Sequence, residues 1–295
     1  MTTFRPSTPD EIPQQKALWK KCFGDPDAYI DAFYDRFCTA DQVVVAVEDG
    51  VVRSMAALLP ATLRTATQGE EVPVSYLYAL ATDPAVQGKG HARQLLQYAD
   101  GLLAEQGYKA MILVPASASL HKFFSALGMD ECFTHRKSEF LAASLTGKTE
   151  GGSFTPVTPE EYNAIREAYL AGSLHLSYPD DLIRLQELSS RMSGGGLYRV
   201  EVADDAEVGC AAVEYVGEGT LLMKELLTYH QYTHRAVELA AQVLPARRYL
   251  LRTPAVWEGF QGNYTQPFGM IKWYDPVLQS RFYDRLDGYL GLAFD

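Results

Sequence analysis

The stretch "DPAVQGKGHARQLL", Asp83 to Leu96, sets Gly88, Lys89, Gly90, His91 and Arg93 where an apolar run gives way to helical spacing. Two readings are open: a loop that binds an anion, or an ordinary turn with charged neighbours. The first amides of a helix lack partners and carry the positive end of its dipole, so a phosphate fits there if side chains leave room. Gly88 and Gly90 leave that room, while Lys89, His91 and Arg93 add positive or potentially positive groups in an otherwise acidic chain.

On the N-terminal side, "PSTPDEIPQQKALWKKCFG" and "DPDAYIDAFYDRF" predict two helices at the start of the chain. "QVVVAVEDGVVRSMAALL" predicts a hairpin, because Asp49-Gly50 is a type I′ turn pair between β-branched runs. "ATLRTAT" and "VSYLYALAT" predict two further strands. After the glycine loop, Leu95, Ala99, Leu102 and Leu103 form the stripe of an amphipathic helix. "KAMILV" then reads as a buried strand, and "SLHKFFSALGM" as a last helix stopped by Gly128.

"LTGKTEGGSFTP", residues 145 to 156, is a Gly/Ser/Thr-rich break, and a second cycle comes after it. "TPEEYNAIREAYLAG" and "PDDLIRLQELSSRM" read as helices, "LYRVEVADDAEVGCAAVEY" as a hairpin and "TLLMKELLTY" as a strand. "HRAVELAAQVL" is a helix, "RYLLR" a strand, and "PFGMIKWYD" echoes "ALGMDECF". The expectation is a tandem α/β (α+β) chain of two similar domains, 1–144 and 153–295. One difference stands out: "LLTYHQYTHRAVELA" occupies the place of "LATDPAVQGKGHARQLL" and has no glycines.

The totals narrow the classes of function. At 295 residues the chain is long for a single domain, and its 47% hydrophobic content suits a globular protein. A formal charge of −11 with scattered Lys and Arg argues against nucleic acid and favours encounter with small cations. Cys22, Cys38, Cys132 and Cys210 lie far apart, with no metal-ligand spacing, so no metal is expected and a reduced, cytoplasmic compartment is. No window approaches the ~18 apolar residues of a membrane span, so no membrane partner is expected. Oligomeric state is open, a homo-oligomer included.

Q-G-K-G-H-A resembles the Q/R-x-x-G-x-G/A signature of the GNAT acetyltransferases, with Gln87, Gly90 and Ala92 on the defined positions. The lead-in strands, the strand "KAMILV" and the closing helix with "FFSALGM" also match that family's order. The resemblance covers roughly residues 3 to 142 and extends more weakly to the second half as a degenerate repeat. It implies two GNAT-like domains, each a mixed, mostly antiparallel central sheet flanked by helices. A Rossmann loop would need a third glycine, and a Walker loop would need G-K-[ST].

By this resemblance the loop Gln87, Gly88, Lys89, Gly90, His91, Ala92 and Arg93 binds the pyrophosphate of acetyl-coenzyme A. The backbone of Leu80, Ala81 and Thr82 pairs with its pantetheine arm, and Ser117 stands where the family often has Asn. Phe124 lies on the cofactor side at the family's usual Tyr, and a phenyl ring cannot donate a proton. Tyr76 and Tyr78 share a strand face and are the nearest replacement acids, or else packing residues. The chain also resembles tandem acetyltransferases of the enhanced-intracellular-survival type, without their sterol-carrier-like third domain. In those proteins the terminus acts as the base, which makes Asp295 either a base or the end of a docked tail. The expected function is acetyl transfer to a primary amine of a small molecule. The alternatives are a non-catalytic acyl-CoA sensor or scaffold, and transfer to a protein or peptide amine.

Overall fold

The computed structural model describes residues 1–67, 69–145, 151–202, 207–257, 263–283 and 287–294. In chain order the elements are β1 (Thr2–Pro6), α1 (Ile12–Phe23), α2 (Asp27–Ala32), β2 (Val43–Glu48), β3 (Val51–Arg64) and β4 (Glu71–Thr82). Next come α3 (His91–Glu105), β5 (Ala110–Leu113), α4 (Ala118–Ser125), β6 (Asp130–Leu141), β7 (Ser153–Pro156) and α5 (Pro159–Leu170). The remainder is β8 (His175–Ser177), α6 (Asp180–Met192), β9 (Gly196–Val202), β10 (Glu207–Tyr215), β11 (Thr220–Leu227), α7 (Thr233–Val243), β12 (Arg248–Pro254), β13 (Tyr264–Trp273) and α8 (Pro276–Phe282).

Local chemistry explains several of these boundaries. Glu11 reaches back to the Thr8 amide at 2.9 Å just before α1, and Gly24 ends that helix in the left-handed region at φ 76. Asp49 and Gly50 both have positive φ, 52 and 77, as the type I′ turn between β2 and β3 requires. Thr158 caps α5 and exchanges hydrogen bonds with Glu161.

The chain divides into two compact units. The first comprises residues 1–63, 71–130 and 270–284, and the second comprises 64–70, 131–269 and 285–295. In the first, antiparallel pairs β1/β2 and β2/β3 lead to β4, which runs parallel to β5, and Met270–Trp273 of β13 lies antiparallel beyond β5. Its core joins Val44, Ala56 and Leu77 of the strands to Leu95, Leu96 and Ala99 of α3, with Phe124 and Met270. In the second unit the order is β7, β9, β10, β11, β12 and β6, with β11/β12 parallel and the other pairs antiparallel. Its core joins Val200, Ala211, Val213 and Met223 to Ala236, Val237 and Ala240 of α7.

In each unit four strands lead to a parallel fifth and an antiparallel sixth, and the second unit also holds the short β8. The sixth is exchanged: Glu131–Leu141, from the first half of the sequence, counts with the second unit, and Met270–Trp273, from the second half, counts with the first. The compact units thus do not coincide with the division at residues 145 to 152, of which 146–150 lie outside the described residues.

Three sequence expectations differ from the structure. The strand β1 precedes the two helices that were expected to open the chain, Ala61–Arg64 of "ATLRTAT" continue β3 instead of the stretch forming a strand of its own, and the residues after α4 form the long strand β6. In β1, five residues ending in Pro, half-buried along an edge, leave little hydrophobic alternation to read.

Candidate active site

The site forms where β4 outlasts its neighbour. β4 pairs with β5 at Val74–Ala110, Ser75–Met111 and Tyr76–Ile112; β5 stops at Leu113, while β4 runs on to Thr82. At Ala79 the backbone turns left-handed, φ 51, a conformation that costs a non-glycine residue about 1–2 kcal/mol. The strand therefore bends where its parallel partner ends. The register of β4 with β5 runs to Tyr76–Ile112, and β4 continues past the end of β5 to Thr82.

The two faces of β4 serve different ends. Leu77 joins the core beneath α3. Tyr76 and Tyr78 point the other way, their rings 6.5 Å apart, and Tyr78 packs 5.5 Å from Trp19 of α1 and 5.7 Å from Phe33. Tyr76 is 2% exposed. Tyr78 is half-buried, its hydroxyl lies 2.9 Å from that of Tyr29 in α2, and burial pushes its phenol well above the ordinary tyrosine range.

At the end of the strand the backbone is fixed by side chains. Ser54 donates to the Ala81 carbonyl at 2.7 Å and meets the Thr82 hydroxyl at 2.9 Å, and Gln87 donates to the Thr82 carbonyl at 3.3 Å. Cys22 lies against that same carbonyl at 3.5 Å. Leu80 is half-buried. Asp83 then binds Lys21 at 2.6 Å, Arg53 at 3.3 Å and the Ala85 amide at 3.1 Å. The Lys21 hydrogen bond is the main cause holding its carboxyl below the usual range.

The loop proper comes after one 3-10 turn. The Lys89 amide bonds back to Val86 at 3.3 Å, and both Gly88 and Gly90 take positive φ, 79 and 86. Gly90 caps α3 without a side chain, and the first helical bond runs from the Gln94 amide to the Gly90 carbonyl at 3.0 Å. The amides of His91, Ala92 and Arg93 are thus the open ones at the head of a 15-residue helix. A Cβ on Gly90 would lie 3.6 Å from the Gln94 amide nitrogen, so its backbone angle, not crowding, requires glycine. Lys89 and Arg93 are exposed, and among the described residues neither joins an ion pair. His91 is 8% exposed, and its Nδ1 has no hydrogen-bond partner among the described residues.

The other expected residues lie apart from this loop. Ser117 is exposed and caps α4, accepting from the Leu120 amide at 3.4 Å and meeting the Ser119 hydroxyl at 2.9 Å. Phe124 is 5% exposed and belongs to the core of the first unit. Asp295 lies outside the described residues. Sequence reasoning missed Tyr29, whose only sequence signal was an aromatic residue on the apolar stripe of "DAYIDAF".

The equivalent place in the second unit is built differently. β11 pairs with β12 only from Thr220–Arg248 to Met223–Leu251, then runs on to Leu227 past a bulge at Lys224. Glu225, fully buried, accepts from Tyr162 at 3.1 Å and from Arg166 Nε at 2.9 Å. Arg166 Nη2 donates to the Leu290 carbonyl at 3.1 Å, and Tyr178 donates to the Leu292 carbonyl at 2.5 Å. A Cβ on Gly291 would come within 2.9 Å of the Glu225 carboxyl carbon. The described terminal residues, Tyr289–Phe294, thus pack against Glu225 and Arg166. The connection to α7 passes through Tyr229, His230, Gln231 and Tyr232; Tyr229 and Tyr232 both have negative φ, and no glycine takes part.

Residues 3–126 match the family described as acetyltransferase (GNAT) domain. No curated protein matches the chain. Among solved structures it is similar to a GCN5-related N-acetyltransferase from Anabaena variabilis, with 15% identity, TM-score 0.72, and coverage of 94% of this chain and 74% of that one. It is also similar to Eis1 from Mycobacterium abscessus, with 14% identity, TM-score 0.67, and coverage of 96% and 76%. A probable N-acyltransferase from Enterococcus faecalis has 14% identity, TM-score 0.68, and coverage of 92% and 73%. These likenesses are of fold. The family match, together with the open helix start at the end of β4, identifies residues 3–126 as a GNAT acetyltransferase domain.

Proposed function

We propose that the protein transfers an acetyl group from acetyl-coenzyme A to a primary amine of a small molecule. The observation that carries this reading is the loop Gln87–Arg93, whose open amides and exposed Lys89 and Arg93 stand at the end of the splayed strand β4. Those groups suit a diphosphate, and the backbone of Leu80 to Thr82, past the end of β5, suits the amide-bearing pantetheine arm. The thioester supplies the acyl group; the chain's own task is to hold it, polarise its carbonyl through a β4 amide, and manage two protons.

An alkylammonium with a pKa near ~10.4 costs about 4–5 kcal/mol to deprotonate at neutral pH, so the amine needs a base. The residue expected for that task from the resemblance, Asp295, lies outside the described residues, and the base is left open. The leaving thiolate, of pKa near ~8.5, needs only modest help. Tyr78 is the group we assign to it: next to the bend at Ala79, it carries a phenol that burial keeps protonated. Tyr76, buried deeper on the same face, backs it.

The test is to incubate the full chain with acetyl-coenzyme A and a panel of polyamines, aminoglycosides and amino-acid amines while monitoring free thiol. Release with at least one amine is expected, and no release with any of them overturns the reading. One observation favours a second reading, an acyl-CoA-binding protein without turnover: Phe124 carries no hydroxyl and is committed to the core. Calorimetric binding of the cofactor without thiol release would establish that reading instead.

A further inference from the structure

In the second unit, Gly288 and Tyr289 lie between β6 and β8 and form parallel bridges with Phe133 and His175. On one side the Gly288 amide donates to the Cys132 carbonyl at 3.2 Å, and the Thr134 amide donates to the Gly288 carbonyl at 3.2 Å. On the other, the Tyr289 amide donates to the Leu174 carbonyl at 2.8 Å, and the Leu176 amide donates to the Tyr289 carbonyl at 2.9 Å. Side chains extend the hold. Arg166 and Tyr178 donate to the Leu290 carbonyl at 3.1 and 3.3 Å. Between Leu174 and Leu176 stands His175, 1% exposed.

Both ring nitrogens of His175 face oxygens that can only accept. Nδ1 lies 3.0 Å from the Ser173 carbonyl oxygen and 3.4 Å from the Ser173 hydroxyl, whose own proton goes to the Leu170 carbonyl at 2.6 Å. Nε2 lies 3.3 Å from Glu167 Oε2. The Glu167 carboxyl is an anion: Arg166 Nη1 meets Oε1 at 3.0 Å, and Arg64 Nε meets Oε2 at 3.3 Å. Burial works to raise its pKa, but the His175 hydrogen bond and the Arg166 charge outweigh burial and hold it below the usual carboxylate range. A neutral ring has one N–H, so it would set a lone pair against one of these oxygens in a place closed to solvent. Only the imidazolium satisfies both.

We propose that His175 is held as an imidazolium and is the proton-dependent pin of residues 288–294: the segment stays docked while that proton is bound and loosens when it leaves to solvent. Without the proton, Nε2 faces the Glu167 carboxylate as a lone pair, and the ring moves only with the backbone on either side, which is the backbone that binds Tyr289. The other charged and titratable groups of the cluster are Arg64, Arg166, Glu225, Tyr178 and Tyr289. The arginines stay charged, and burial keeps the Tyr289 phenol protonated. The docked state favours the charged ring, so docking is strong at lower pH and weakens as pH rises. Glu167 sets the acid limit: its contribution is present above the usual carboxylate range and is lost as pH falls through the lowered value.

Two measurements on the full chain over one pH series test this. Nitrogen-15 spectra of the six imidazoles report ring protonation, with His175 identified as the signal missing from His175→Gln. Hydrogen exchange read by mass spectrometry, corrected for the intrinsic pH dependence of exchange, reports the opening of residues 288–294. Opening is expected to grow as the His175 proton is lost, by up to about tenfold per pH unit, the limit for one proton. In His175→Gln that rise is expected to vanish while thermal melts show a folded protein. A singly protonated ring with the segment still closed overturns the proposal, as does a rise that persists in His175→Gln. Should His175→Gln fold poorly, Glu167→Gln serves, because its amide donates to a neutral Nε2 or accepts from a protonated one. There His175 is expected to titrate with little change in opening, and a rise as steep as in the wild type overturns the proposal.

Discussion

β4 and β11 occupy the same place in two units of the same strand order, and each outlasts a short parallel partner. Their continuations differ in kind. After β4 the backbone bends at Ala79, crosses two left-handed glycines and starts a helix with bare amides. Past β11 the space is taken by Glu225, Arg166 and the tail carbonyl of Leu290, and the connection is made with aromatic and amide side chains. The shared sheet order does not demand the glycines, and their presence at this connection in the first unit alone is what the proposed ligand site rests on.

Cutting the chain puts the heaviest demand on this pairing of units. Residues 1–144 expressed alone lack Met270–Trp273 and α8, which complete the first unit, and are expected to give no cooperative thermal transition. Adding residues 153–295 in trans is expected to restore one. A stable, cofactor-binding 1–144 fragment would contradict the exchange of sixth strands.

Next in size, Gly90→Val forces a β-branched residue to φ 86 and is expected to weaken acetyl-coenzyme A binding at least ~100-fold by calorimetry while the far-ultraviolet spectrum is retained. The wild type is expected to bind one cofactor per chain, and a stoichiometry of two would remove the distinction between the units. In the second unit, Glu225→Ala removes the fully buried partner of Arg166 Nε and leaves Glu167, at 3.0 Å, as its ion-pair partner, at an expected cost of about 3 kcal/mol and a fall in Tm of roughly 5–10 °C. An unchanged Tm would mean that the buried pair does not hold this region.

Smaller effects bear on the first unit alone. Asp83→Asn weakens the ties to Lys21 and Arg53 that anchor the loop, and is expected to raise KM for acetyl-coenzyme A about 2–5-fold with kcat nearly unchanged. The phenol of Tyr78, raised by burial, is the protonated form required of an acid and stays so as pH rises through the ordinary tyrosine range. The kcat profile is therefore expected to show no loss from Tyr78 up to about pH 10. A fall that vanishes in Tyr78→Phe would reverse that expectation.

Local chemistry made much of this molecule legible in the sequence. Asp49-Gly50 announces its turn, the stripe from Leu95 to Leu103 announces α3, and the glycines of the loop announce positive φ. Long-range partnership was not legible. Alternation in "DECFTHRKSEFL" suits a strand but does not name β12 as its neighbour. Tyr29 and Tyr78 are 49 positions apart, and Arg166 and Glu225 are 59 apart, so no sequence period reports either contact. The left-handed Ala79 is equally silent, because its conformation is imposed by the surrounding sheet rather than by its own preference.

Exchange of the sixth strands also bears on synthesis. At a translation rate of roughly 5–20 residues per second, Met270–Asp284 leaves the ribosome several seconds or more after Asp130, the last residue of the first unit's early portion. During that interval β5 has an unpaired edge, and the half of the chain made first waits for the half made last. A polypeptide released before Met270–Asp284 is made therefore lacks the strand that completes the first unit.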